Sequence, residues 1–115
     1  MRTKSLWIKD EYLALILEGR KTIEVRVGYS NITRLQAGDR LLLNDQHSYT
    51  IFNIERYADF EELLQNEDPD AIAPGFTPER LLSALRAIYP AEKEALGVIA
   101  LHIQPEVRVN REEEK

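Results

Sequence analysis

Residues 19–26 read Gly19-Arg20-Lys21-Thr22-Ile23-Glu24-Val25-Arg26, which places three cations and one carboxylate in a single short segment. If Thr22–Val27 is a strand, Glu24 and Arg26 point to one face, close enough to interact. A lysine desolvated in a cleft has its pKa lowered and can act as base or nucleophile, whereas a neighbouring carboxylate favours its charged form. At Lys21 the two effects oppose each other. Beside Glu24 it reads as a fixed ammonium that binds a carbonyl or a phosphate. Glu24 is then the stronger general-base candidate, or an acceptor for an exocyclic amine. Lys21 and Glu24 are the catalytic candidates. The competing reading is a structural salt bridge on a solvated strand face. Two features weigh against it: Lys21 follows a glycine stop and is held at a bend, and the strand adjoins others, so its polar face can line a concavity.

Other residues extend the list of ligand contacts. Arg20, Lys21 and Arg26 can meet phosphates. Trp7, Tyr29, Tyr49 and Tyr57 can offer a stacking surface to a base, although aromatics in short strands more often fill a core. Asn44 follows three leucines and is either a base reader or a turn residue. The chain has no cysteine. His47 falls in an expected turn and His102 in an expected core strand, with no His-x-x-x-His spacing, so no metal site is expected. Ser48 beside His47 makes no triad, because sequence neighbours on a strand point apart. No G-x-x-x-x-G-K-[ST] or G-x-G-x-x-G loop is present, which disfavours nucleotide hydrolysis and dinucleotide binding. No cofactor is expected.

The elements that must position these groups follow from periodicity and punctuation. Ser5–Ile8 reads as a first strand. Asp10 can cap a helix from Glu11 to Glu18, with Leu13, Ile16 and Leu17 on one face and Gly19 as its stop. Thr22–Val27 alternates strictly, Ile23, Val25 and Val27 on the apolar side. Gly28–Gly38 is a connection with one helical turn. Asp39–Asn44 and Tyr49–Tyr57 form a hairpin around Asp45-Gln46-His47-Ser48. Asp59 caps a helix to Leu64, Pro69–Phe76 is a loop, and Thr77-Pro78-Glu79 opens a helix to Ile88. Gly97–Ile103 is a buried last strand. Strands outnumber helices and pair partly as hairpins, so a small curved sheet or barrel with flanking helices fits better than a doubly wound fold.

Length and charge bound the partners. The 115 residues suit one domain, expected over residues 1–104 with a charged tail over 105–115. The net charge of −5 is unevenly spread. Residues 1–40 hold eight Lys/Arg against five Asp/Glu, whereas residues 41–115 hold seven against fifteen. Six acids and no base fall in Asp59–Asp70. A long duplex footprint needs a basic face, and only a local basic patch is available here. Long duplex DNA is therefore disfavoured, while a short single strand or a nucleoside fits. The longest apolar run, Leu13–Leu17, is too short to cross a bilayer, and no signal-peptide h-region is seen. A soluble, cytoplasmic domain is expected. Oligomeric state is not legible.

Gly19, Lys21, Glu24 and Arg26 also spell G-x-K-x-x-E-x-R, which resembles the signature of the ASCH domain family, a branch of the PUA-like superfamily. Leu15-Ile16-Leu17, Gly38-Asp39 before Leu41-Leu42-Leu43-Asn44, and Ile88-Tyr89-Pro90 before Gly97-Val98-Ile99-Ala100-Leu101 are similar too, so the resemblance covers residues 5–103. It implies an α+β, PUA-like small β-barrel of about five to six mostly antiparallel strands with flanking helices. It also implies a cleft and a role in handling RNA or nucleotides. One bacterial branch, amidohydrolases that remove the acetyl group of N4-acetylcytidine, resembles the chain at Gly19–Ile23 and Ile88–Pro90. That branch is thought to use the lysine matched by Lys21, a threonine where Glu24 stands, and a glutamate about where Pro74 falls. Glu67, Asp68, Asp70 and Glu79 are nearby acids, none of them singled out. Another branch is described as nucleases. Three readings follow: an RNA- or modified-nucleoside-binding module, a small amidohydrolase or ribonuclease on the same ligand class, and a protein-interaction module using the acidic stretch.

Overall fold

The computed structural model describes residues 1–106; residues 107–115, most of the expected tail, lie outside the described residues. In chain order the elements are β1 (Thr3–Leu6), α1 (Asp10–Leu17), β2 (Ile23–Val27), α2 (Ser30–Thr33), β3 (Arg40–Leu43) and β4 (His47–Tyr57). Then come α3 (Phe60–Asn66), α4 (Pro69–Ile72), α5 (Pro78–Ile88), α6 (Ala91–Glu94) and β5 (Val98–Pro105). The five strands form one sheet in the order β1-β3-β4-β5-β2. Among the described residues only β1 and β3 run parallel; the other three pairings are antiparallel. The fold is the expected α+β type, a curled mixed sheet with helices packed on it.

Alternation along β5 explains the two-sided core. Ile99, Leu101 and Ile103 join Leu41, Leu43 and Ile51 in a cluster closed by α1 and α2. Val98 and Ala100 point the other way, against Ile23, Val25, Val27, Phe60, Leu63, Leu81 and Leu85. A strand covered on both faces reads as a continuous apolar run, and β5 does. Burying each Val, Leu, Ile or Phe side chain among these contributes about 1.5–3 kcal/mol. In α5, Leu81 and Leu85 fall one turn apart on the covered face, and Thr77 Oγ1 accepts from Arg80 N at 3.2 Å as the cap.

Several boundaries differ from the sequence expectation. β1 lies two residues earlier than Ser5–Ile8. α1 carries no side-chain cap, and Lys9 rather than Asp10 occupies its cap position. The β3–β4 turn is Asn44-Asp45-Gln46: Leu43 pairs with His47, so His47 and Ser48 already belong to β4. Asn44 and Asp45 take left-handed φ values of 51° and 58°, which these residue types tolerate and which close the turn within three residues. The Pro69–Phe76 loop contains α4, capped by Asp68, whose side chain accepts from Asp70 N. α6 was not expected at all. β5 continues to Pro105, and Arg40 Nη2 donates to Glu106 Oε1 at 2.8 Å.

Candidate ligand cleft

Gly19 sets the geometry of the site. Its φ of +80° suits glycine, and its N–H donates to Ile16 O while Arg20 N donates to Leu15 O. That pattern ends α1 in a Schellman turn and swings the chain directly into β2. Lys21 therefore sits at the bend, with its side chain only 6% exposed. Its Nζ donates to Ile23 O at 2.6 Å and Ile72 O at 2.8 Å, and lies 3.3 Å from Glu24 Oε1. All three ammonium protons thus have partners, and the side chain clamps α4 onto β2. Burial pushes the Lys21 pKa below its usual range, against the opposing pull of Glu24.

The chain of charges continues along β2. Glu24 Oε2 accepts from Arg26 Nε at 2.7 Å, and Arg26 Nη2 donates to Trp7 O at 3.1 Å. Arg26 thereby spans the gap between β2 and the segment leaving β1, the two free edges of the sheet. A cavity of about 240 Å³ opens in that gap. Lys21, Glu24, Val25 and Arg26 form one wall, Trp7, Ile8, Lys9 and Tyr12 a second. Ala84, Leu85, Ile88 and Tyr89, from α5 and its end, form a third. Trp7 is 71% exposed and Ile88 59%, so the rim is apolar while Glu24 at the wall is nearly covered. Three cations against one carboxylate make the cleft locally basic in an acidic chain.

The remaining expected residues lie elsewhere. Arg20 is exposed, 3.7 Å from Glu18, and lines a separate, more open cavity with Asp68, Asp70, Pro74 and Gly75. Tyr29 stands outside the cleft wall, with Lys93 Nζ 5.4 Å from its ring centre. Asn44 Oδ1 accepts from Ile8 N at 2.7 Å and its Nδ2 donates to Ile8 O at 2.8 Å, which pins the strand end beside Trp7. Tyr49 is core. Tyr57 donates to Glu67 at 2.5 Å, and Glu67 also lies 3.0 Å from His102. None of Glu67, Asp68, Asp70 and Glu79 lines the cleft. Among the described residues no group of three or more His, Asp and Glu is placed to hold a metal. Tyr12, Tyr89 and Ile88 are wall residues that site reasoning from sequence missed. Tyr89 carried a signal, since it closes a capped amphipathic helix just before Pro90; burial raises its phenol pKa.

A half-barrel of mixed strands with helices packed on it is the architecture of a PUA-like domain. The chain belongs to the ASCH domain family, whose model matches residues 6–107. Among solved structures it is similar to the hypothetical protein PH0355, with 28% identity and a TM-score of 0.85 over 92% of this chain and 100% of that one. Protein PF0455 from Pyrococcus furiosus is also similar, with 27% identity and a TM-score of 0.77 over 92% of this chain and 99% of the other. No curated protein matches the chain. No helix among the described residues is long and apolar enough to cross a membrane.

Proposed function

We propose that this ASCH domain binds a single base of a short RNA, or a modified nucleoside, in the cleft around Lys21, Glu24 and Arg26. The observation that carries the reading is the Lys21–Glu24–Arg26 charge chain in the wall of a 240 Å³ cavity rimmed by exposed Trp7. Trp7 stacks on the base, as aromatics do in single-strand recognition. Glu24, held from both sides, accepts from an exocyclic amine. Lys9 and Arg26 meet phosphate or carbonyl oxygens at the rim. Trp7 is the one tryptophan of the chain, so its fluorescence reports on the cleft alone. Titration with cytidine, N4-acetylcytidine and a short single-stranded RNA should quench it, and the RNA alone should show a shallow salt slope reflecting about two or three phosphates. No response to any of the three at low salt, in folded protein, would overturn the reading.

A second reading, hydrolysis of an N4-acyl group, is favoured by one observation, the buried Lys21 with its pKa lowered beside Glu24. Glu24 would activate water and pass its proton to the leaving amine, while Lys21 would stabilise the oxyanion. The full occupation of the Lys21 protons argues for weak turnover at best. The same nucleoside assay tests it: release of cytidine from N4-acetylcytidine that disappears in Glu24→Gln supports hydrolysis, and its absence in the parent protein leaves binding as the function.

A further inference from the structure

Among the described residues β2 is an edge strand, paired only with β5. Ile103 N donates to Thr22 O at 3.0 Å and Gly28 N to Gly97 O at 2.9 Å, so between these two bonds Glu24 and Arg26 spend their backbone groups on β5, while Thr22 N turns to Ala71 O. By the alternation of an antiparallel ladder, Ile23, Val25 and Val27 turn theirs to the free side. Two of those outward carbonyls are taken. Ile23 O accepts from Lys21 Nζ, and Val27 O accepts from Tyr29 N at 2.8 Å. Val25 lies between them in the cleft wall and is 7% exposed. Among the described residues nothing engages its N–H or C=O. A backbone pair in the cleft wall that no protein group engages is open to the occupant of the cleft, which can satisfy it.

We infer that the main-chain N–H and C=O of Val25 read the hydrogen-bonding edge of the bound base, an inference that rests on the base-binding reading above. The N–H donates to a ring nitrogen, and the C=O accepts from the adjacent exocyclic amine, as N3 and the 4-amino group of a cytosine present them. An extended peptide is the other natural occupant of a strand edge, but it needs several consecutive outward backbone pairs. Lys21 and Tyr29 close the edge on both sides of Val25 and leave room for one planar ring. Trp7 at the rim supplies the face for that ring, and the Glu24 carboxylate and the Val25 carbonyl offer acceptors on neighbouring positions of one strand.

The test compares cytidine with 3-deazacytidine, in which a C–H replaces N3 and the shape is kept. Two-dimensional amide NMR and Trp7 fluorescence are read on the same samples. Cytidine should shift the Val25 amide downfield, and 3-deazacytidine should bind about tenfold more weakly without that shift. Val25→Pro deletes an N–H that the ladder does not use, so it is compatible with an edge strand. It should bind both nucleosides alike. If that variant fails to fold, the Val25 amide shift in the parent protein still decides. Quenching of Trp7 by both nucleosides with equal affinity and an unmoved Val25 amide would overturn the role of Val25 and leave the base-binding reading standing. Silence in both probes would overturn the two together.

Discussion

Arg26 donates to the main-chain carbonyl of Trp7 at 3.1 Å, and this bond ties one free edge of the sheet to the chain leaving the other. The partners are nineteen residues apart. The same guanidinium holds Glu24 at 2.7 Å, so closing the seam and orienting the carboxylate are one task. A planar fork can do both, where an ammonium would have to choose.

Arg26→Gln should therefore loosen the seam and free Glu24 together. We expect a loss of about 1–2 kcal/mol in stability, the worth of a charge-assisted hydrogen bond, read as a lower urea midpoint. The anisotropy of Trp7 fluorescence should fall in the same variant. Unchanged anisotropy would show that Trp7 is held by other contacts.

Lys21→Met keeps the length of the side chain and removes three donors. The carbonyls of Ile23 and Ile72 and one oxygen of Glu24 then lose their partner in a nearly covered place. The cost should be about 3 kcal/mol, visible in urea unfolding and in faster amide exchange across α4. Loss of stability without faster exchange at α4 would mean the clamp acts only within β2.

Glu94 predicts a pH dependence far from the cleft. Its carboxylate accepts from Arg86 Nη2 at 3.1 Å and from Phe60 N at 3.0 Å, capping α3 from thirty-four residues away. The Arg86 hydrogen bonds hold its pKa below the usual 4.5, against the opposing effect of burial. A depressed carboxylate contributes stability that is complete above its unfolded pKa and lost as pH falls through its folded value. Glu94→Gln should be destabilised at pH 7 and should differ little from the parent protein well below pH 4.5. A gap that stays constant down to acid would remove charge from the explanation.

Strand and helix identity was legible wherever a period was clean. The strict alternation of Ile23-Glu24-Val25-Arg26-Val27 marked β2, and Thr77-Pro78 marked the start of α5. The hairpin was legible, but its turn was not. Asp45-Gln46-His47-Ser48 reads as polar turn chemistry, yet the pairing of Leu43 with His47 and the two left-handed residues shorten it. α4 and α6 are four residues each, too short to show a period, and both are held by what they pack on.

The sequence by itself determined which residues could form a charged site and on which side of β2 they stand, because strand parity and the glycine stop are local properties of the backbone. Tertiary structure alone decided which of them share a cleft. Trp7, Arg26 and Tyr89 meet there, while Arg20, Tyr29 and Asn44 do not. The wall comes from the closing of β1 and β2 across a sheet whose order runs β1-β3-β4-β5-β2, and from α5 laid along that gap. Such a meeting depends on the curl of the whole sheet, the sum of many small twists and packings, and no short stretch of residues carries it.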